Sequence, residues 1–138
     1  MRQFSQTVSV ATRRGLTPIT EPIERAVSAA GIRDGLCTVF IRHTSASLLI
    51  QENADPAVCR DLEAFLSRLV PDGDTRFTHM AEGPDDMPAH VKAALTRTSE
   101  QIPIRDGRLA LGTWQGLFVW EHRSGRYQRE VIVHLLGE

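Results

Sequence analysis

Turn-forming pairs of residues divide the last third of the chain into short apolar segments. Asp106-Gly107 and Ser124-Gly125 each separate two such segments. The strands predicted on either side of these pairs are residues 102–104, 108–111, 117–122 and 129–135. Asp-Gly and similar pairs favour tight turns, and tight turns join antiparallel neighbours. The sequence therefore predicts a largely antiparallel sheet in this region.

The first two thirds of the chain combines strands with three predicted helices. Asp55-Pro56 is typical of a helix start, because a carboxylate can cap the helix and proline suits its first position. Apolar residues then repeat at helical spacing up to Leu69. Another helix is predicted at 21–30, with Thr20 as its cap and apolar residues 23, 26, 27 and 30 on one face, and a third at 88–96. Further strands are predicted at 3–12, 36–42 and 48–51. About seven strands and three helices indicate a single α+β domain over residues 1–138.

Composition and charge exclude several classes of protein. The 138 residues, 41% hydrophobic and 24% charged, are typical of an ordinary globular domain. A net charge of −1 creates no overall positive field, so we expect no nucleic acid partner. No apolar stretch reaches the roughly 20 residues that span a bilayer, so we expect no membrane partner. Residues 1–6 lack the apolar region of a signal peptide, and we predict a cytoplasmic protein whose Cys37 and Cys59 are reduced and structural.

A polar segment, His43–Ser47, interrupts an apolar run that continues at Leu48. A buried strand would remain apolar, so this segment predicts a site where a strand ends. His79 and His90 supply imidazoles from a second region of the chain. Catalytic metal sites usually take three protein ligands and leave one position open. We therefore predict that His43, His79 and His90 bind a divalent metal, zinc or magnesium, although each histidine alone is also typical of a surface or core position.

Two carboxylates are candidates for catalysis. Glu82 lies in a segment with glycine and proline, which favours a loop. A loop carboxylate near a metal could act as a ligand, orient a ligand or serve as a general base, and it is equally consistent with a solvated charge. Glu121 ends a predicted strand and could turn toward the same site. Asp85 and Asp86 are instead predicted to cap the helix that starts at Pro88.

Other polar and aromatic side chains in these motifs are candidates for substrate binding. Hydroxyls can donate to a phosphate without adding charge, and guanidinium groups suit bidentate contacts with oxyanions. An indole between glycines could stack on a heteroaromatic ring, although tryptophan in a β domain is more typical of a core. Local turns and solvated edges would also account for the hydroxyls and arginines. The candidates are Thr44, Ser45, Ser47, Glu52, Trp114, Gln115, Arg126 and Arg129.

Three long motifs are similar to those of the YjbQ-like family, whose members are described as secondary thiamine-phosphate synthases or as uncharacterised conserved proteins. They are HTSASLLIQENADP from His43, the block His79–His90, and LALGTWQG from Leu109 followed by Glu121. The resemblance covers nearly the whole chain. It implies a sandwich-like sheet, a homotrimer and a pocket near the histidines in which a metal is suspected. The family's hallmark positions correspond to His43, His79, Glu82, His90, Trp114, Gln115 and Glu121.

These motifs lead to two functional hypotheses. The first is a metal-dependent enzyme that acts on a small phosphorylated or heteroaromatic metabolite. The resemblance implies thiamine-phosphate synthase activity as a secondary transferase reaction, in which a pyrimidine diphosphate is joined to a thiazole phosphate and pyrophosphate is released. The second hypothesis is a non-catalytic module that binds a metabolite or a metal and regulates a partner. A purely structural trimeric scaffold would not account for the clustered polar motifs.

Overall fold

One six-stranded antiparallel sheet carries three helices, and the computed structural model describes them over residues 1–138. The strands are β1 (Arg2–Pro18), β2 (Gly35–Ile41), β3 (Ala46–Glu52), β4 (Ser99–Arg105), β5 (Arg108–Leu109) and β6 (Gln115–Gly137). The helices are α1 (Thr20–Ala30), α2 (Pro56–Leu69) and α3 (Asp86–Leu95). The predicted α+β domain with three helices and antiparallel strands is confirmed. None of the helices combines the length and apolar character needed to cross a bilayer.

The long strand β6 lies at the centre of the sheet. β1 pairs with one edge of β6, while β3 and β2 pair with the first and second halves of the other edge. The predicted strands 117–122 and 129–135 are therefore parts of one strand, and the predicted turn at Ser124-Gly125 was wrong. The chain instead bulges there, because the pairing Arg13↔Arg126 is followed directly by Gly15↔Glu121.

Helix α1 covers one face of the sheet, as its apolar spacing predicts. The residues on its buried side are Ile23, Ala26 and Val27. Gly31 ends the helix at a φ of 66°, a left-handed conformation that favours a residue without a Cβ. Thr20 was predicted to cap the helix, but it is the first helical residue, and its hydroxyl accepts a hydrogen bond from the Leu117 N–H at 2.8 Å.

Helix α2 starts at Pro56, as predicted. The Asp55 carboxylate accepts a hydrogen bond from the Ala57 N–H at 2.9 Å, which caps the first turn. On the side facing the sheet, the indole N–H of Trp120 in β6 donates to Glu63 at 2.9 Å. The contact between α2 and the sheet therefore includes a hydrogen bond.

Helix α3 starts earlier than predicted. Its first residue is Asp86, two positions before Pro88. The predicted capping role of Asp85 was wrong, since its side chain accepts no hydrogen bond from the helix and instead pairs with Arg123 of β6. The earlier start brings Asp86 and His90, four residues apart, onto one face of the helix.

Candidate metal centre

Two of the predicted histidines meet an aspartate at the start of α3. Nε2 of His79 lies 2.7 Å from Oδ2 of Asp86, and Nε2 of His90 lies 3.1 Å from the same oxygen. One ligand atom from each residue lies within 4.8 Å of the others. His79 comes from the loop before α3, whereas the other two residues come from α3 itself. We call His79, Asp86 and His90 the His–Asp cluster.

Asp86 is the buried member of this cluster. Its side chain is 3% exposed, whereas those of His79 and His90 are 45% and 30% exposed. Burial raises the pKa of Asp86, but the hydrogen bond with His79 and the charges of His90 and Arg123 outweigh burial, so the pKa lies below its usual value. The carboxylate is therefore ionised at neutral pH. Because the two imidazoles are partly exposed, one side of the cluster is open to solvent.

The hydrogen bonding of His90 fixes its tautomer. Nδ1 lies 2.9 Å from the carbonyl oxygen of Thr44, and because a carbonyl only accepts, Nδ1 carries the proton. In the neutral ring, Nε2 then directs a lone pair at the ionised Asp86. Two lone pairs 3.1 Å apart repel each other unless a cation, either a second proton or a metal ion, lies beside them. Metal-ligating histidines commonly donate their other ring N–H to a backbone carbonyl, as Nδ1 of His90 does.

The donor set of the His–Asp cluster fits a metal with an open coordination position. Two imidazoles and one carboxylate occur in catalytic zinc sites, whereas magnesium prefers oxygen ligands. A cleft of about 270 Å³ lies beside the cluster; its lining includes His79, Phe77, Met80 and Met87. The exposed Glu82 lies close to Asp86. The cluster therefore offers three donor atoms beside an open cleft.

Arg123 holds the loop that carries the cluster, and the sequence analysis missed it. Its guanidinium donates to Asp85 at 3.2 Å and to the carbonyl oxygen of Glu82 at 2.7 Å, and lies 3.4 Å from Asp86. Asp86 was also missed, because the predicted helix began at Pro88. The signal was an Asp-x-x-x-His spacing, which places both side chains on one face once the helix is extended by half a turn.

His43 lies outside the His–Asp cluster. Its Nε2 accepts a hydrogen bond from the backbone N–H of Glu130 at 2.7 Å, and its Nδ1 lies 3.3 Å from the guanidinium of Arg129. Burial and then the charge of Arg129 lower the pKa of His43, so the ring is neutral. The structure therefore groups two of the three predicted histidines and supplies a carboxylate as the third donor.

Three further site candidates, Ser45, Glu121 and Arg129, form a buried polar cluster. Glu121 and Arg129 form an ion pair, and the Arg129 guanidinium also donates to Ser45 Oγ at 3.0 Å. Burial raises the pKa of Glu121, but hydrogen bonds from Arg129 and Thr12 outweigh it and lower the pKa. All three candidates are buried, and their polar atoms bind each other.

Ser47 contacts a second buried imidazole. Ser47 Oγ lies 2.9 Å from Nε2 of His122, and both residues are fully buried. Burial, followed by the charge of Lys92, lowers the pKa of His122 to about 3. Lys92, a residue of α3, is itself buried. This serine–histidine pair has no exposed face, so it supports the packing of α3 on the sheet.

The remaining substrate-binding candidates lie in different places. Thr44 is exposed beside the His–Asp cluster, where its carbonyl binds His90. Glu52 and Gln115 lie at the opposite end of β3, which is about 20 Å long at ~3.3 Å per residue. Trp114, 63% exposed, adjoins them and does not belong to the core. The other candidate, Arg126, lines a separate cleft of about 770 Å³ between β1 and β6, so the largest cleft is not the one beside the cluster.

Comparisons with known proteins agree with this fold and these motifs. The sequence model of the family described as UPF0047 protein YjbQ-like matches residues 5–138. A UPF0047 protein from Synechocystis sp. is 56% identical to this chain, with 99% of this chain and 94% of the relative covered. YjbQ from Salmonella typhimurium is 39% identical, with 98% and 99% covered.

Solved structures agree as well. A Clostridium acetobutylicum protein of the yjbq/upf0047 family has a TM-score of 0.80 at 36% identity, with 99% of this chain and 100% of that chain covered. A YbjQ-like protein from Sulfolobus solfataricus, 24% identical, shares the fold with a TM-score of 0.85 over 99% of this chain and 100% of that chain. The chain belongs to the UPF0047 family of YjbQ-like proteins, as its three motifs predicted.

Proposed function

We propose that this protein is a cytoplasmic, zinc-dependent enzyme that acts on a small phosphorylated metabolite, with the metal held by the His–Asp cluster. The observation that carries the proposal is the convergence of two imidazole nitrogens on one oxygen of the buried Asp86 carboxylate, at 2.7 and 3.1 Å. A bound zinc ion supplies Lewis acidity for a phosphoryl oxygen or for a water molecule. Two imidazole donors favour zinc over magnesium.

The surrounding residues would then have distinct tasks. The Thr44 carbonyl orients the His90 ring, and Arg123 fixes the loop in front of Asp86. Glu82 is exposed beside Asp86, so its carboxylate is placed to exchange a proton with a substrate on the open side.

Metal analysis of the purified protein tests the site. We expect about one zinc ion per chain by mass spectrometry, and less than a tenth of that in Asp86→Asn and His90→Ala. His134→Ala is the matched control, because His134 is a half-buried histidine of β6 outside the cluster. His43→Ala should also retain the metal, since His43 lies outside the cluster and its Nε2 accepts from the Glu130 N–H. Full metal content in a folded Asp86→Asn variant would overturn the metal assignment.

A non-catalytic module that binds a metal or metabolite and regulates a partner is the second candidate. It is favoured by one observation: Glu121, the other predicted catalytic carboxylate, is buried in an ion pair. The Glu82→Gln variant tests the enzyme hypothesis against the non-catalytic module. If Glu82 takes part in catalysis, this variant keeps the metal and loses at least tenfold in turnover. Unchanged turnover in Glu82→Gln would remove the catalytic role of Glu82.

Thiamine-phosphate synthesis is proposed as a secondary reaction at the same site, on the family resemblance alone. In this reaction the thiazole nitrogen is the nucleophile, and it displaces pyrophosphate from the pyrimidine diphosphate. Release of pyrophosphate from the two substrates measures it directly. We expect slow release by zinc-loaded protein and none by Asp86→Asn. No release by the loaded wild type would exclude this reaction and leave the metal assignment intact.

We also propose that the chain forms a homotrimer, as the resemblance implies. Leu36, Phe40 and Leu136 are 37%, 45% and 39% exposed on neighbouring strands of one sheet face. Contiguous exposed apolar side chains are typical of an interface. Sedimentation should give three times the chain mass of 15.4 kDa, and Phe40→Glu should lower it. Phe65→Glu, at a 59% exposed position of α2, is the control; a monomeric wild type would exclude the trimer.

A further inference from the structure

A second charged site lies away from the His–Asp cluster, in the cleft between β1 and β6. The volume of this cleft, about 770 Å³, is within the range of small-molecule sites. Three guanidinium groups line it, those of Arg13, Arg14 and Arg126. No carboxylate is part of its lining. The cleft is therefore positively charged although the chain has a net charge of −1.

Two of these arginines face each other directly. Arg13 is the antiparallel partner of Arg126 in the register of β1 and β6. Side chains at such positions share a face of the sheet with Cβ atoms about 5 Å apart, so two like charges destabilise the pairing. Neither of the two forms a salt bridge within the chain. Arg14 differs, because Asp72 neutralises it at 2.9 Å.

An aromatic residue also lines the cleft, but its ring lies on the other face of the sheet. Tyr127 pairs with Thr12, one position from the Arg13–Arg126 pair. Successive side chains of a strand point to opposite faces, so the Tyr127 ring is not in contact with these two guanidinium groups. It lies instead against Arg129 and Arg123, whose guanidinium carbons are 4.9 and 5.4 Å from the ring centroid and which are paired with carboxylates. Arg13 and Arg126 are therefore the two charges of the cleft that lack a partner.

We propose that Arg13 and Arg126 together bind the phosphate or diphosphate group of a small molecule in this cleft. An oxyanion between the two guanidinium groups replaces their repulsion with charge-assisted hydrogen bonds. The local charge of two arginines suits a small ligand, whereas a nucleic acid needs an extended basic surface. No member of the His–Asp cluster lines the cleft, so the proposal does not rest on the metal assignment.

Calorimetry with inorganic pyrophosphate and metal-free protein tests the proposal. We expect binding by the wild type and at least tenfold weaker binding by the double variant Arg13→Gln/Arg126→Gln. The matched control is Arg105→Gln/Arg108→Gln, because these arginines face each other across β4 and β5 and do not line the cleft. It removes the same two charges, so its affinity should stay within twofold of the wild type.

A thermal melt checks that the variants are folded. Because the Arg13–Arg126 repulsion is relieved, the double variant should melt no lower than the ligand-free wild type, and pyrophosphate should raise only the melting temperature of the wild type and the control. Failure of the wild type to bind pyrophosphate would overturn the proposal. Equal weakening in both double variants would overturn it as a net-charge effect. Binding of an RNA oligonucleotide through Arg13 and Arg126, without binding of pyrophosphate, would overturn it in favour of a nucleic acid ligand.

Discussion

Glu121 and Arg129 form a two-point ion pair inside the domain, in which Nε donates to Oε1 at 2.7 Å and the second guanidinium nitrogen donates to Oε2. The Thr12 hydroxyl donates to Oε1 at 2.6 Å and the Arg123 N–H to Oε2 at 3.1 Å. Both oxygens of the carboxylate are thus occupied. Glu121 thus joins Thr12 of β1 to Arg129 of β6 inside the domain.

Glu121→Gln should destabilise the fold. Removal of one charge from a buried pair leaves the other uncompensated, which costs about 3–5 kcal/mol. Urea unfolding should show this loss as a lower free energy of unfolding. Glu130→Gln is the control, since its ion pair with Arg42 is half exposed and should contribute about 0–1 kcal/mol. Wild-type stability together with lost turnover in Glu121→Gln would instead assign the residue to catalysis, as the sequence predicted.

The acid stability of the protein should depend on Asp85. Burial raises the pKa of this carboxyl, but hydrogen bonds from Arg123 and Ser124 outweigh burial and lower the pKa from 3.8 to about 2. The folded state therefore binds fewer protons than the unfolded state, and the stability present above pH 4 is lost as the pH falls toward 2. The shift corresponds to about 2 kcal/mol.

The Asp85→Asn variant tests this contribution. Its free energy of unfolding at pH 6 should be lower than that of the wild type, and the difference should shrink at pH 2.5. Asp61→Asn, at an exposed position of α2 with no salt bridge, is the control and should follow the wild type at both values. A difference that stays constant with pH would mean that the Asp85 contacts do not depend on its charge.

The elements that were predicted correctly are those that depend on residues adjacent in the sequence. The start of α2 at Asp55-Pro56 depends on neighbouring residues only, so it was predicted correctly. The turn predicted at Ser124-Gly125 was wrong, although Gly125 has a left-handed φ of 101°. A bulge and a hairpin turn use the same left-handed conformation, and only the pairing partner tells them apart. That partner is β1, more than 100 residues earlier in the chain.

The same reason explains the errors at the candidate site. His79 and His90 were selected by residue type, and their approach to each other depends on the loop and helix between them. His43 was selected in the same way, but the N–H that its ring binds belongs to Glu130, 87 residues away. A short polar motif does not contain that information. The third donor, Asp86, was not predicted, because the predicted helix began at Pro88. Asp86 lies on the same face as His90 only because α3 begins two residues earlier.

His122 should remain neutral down to mildly acidic pH. Burial and the charge of Lys92 lower its pKa from 6.5 to about 3. Because the unfolded chain takes up a proton on this ring below pH 6.5, His122 contributes a loss of stability as the pH falls toward 3. Proton NMR should show no shift of its ring signals between pH 8 and pH 5, with His122→Gln identifying them. A titration midpoint near 6 would show that solvent reaches the ring.

The two cysteines should differ sharply in reactivity, and this difference tests whether Cys37 lies in the core. Cys37 is fully buried in β2, and burial followed by the charge of Glu24 raises its pKa to about 12. Cys59 is only partly buried on α2. The thiolate is the reactive form, so a thiol reagent at pH 8 should modify Cys59 alone in native protein and both cysteines after unfolding, as counted by mass spectrometry. Cys59→Ser should then show no modification before unfolding, because β2 keeps Cys37 in the core beneath α1. Modification of Cys37 in the folded variant would contradict its burial in the core that the sheet and α1 share.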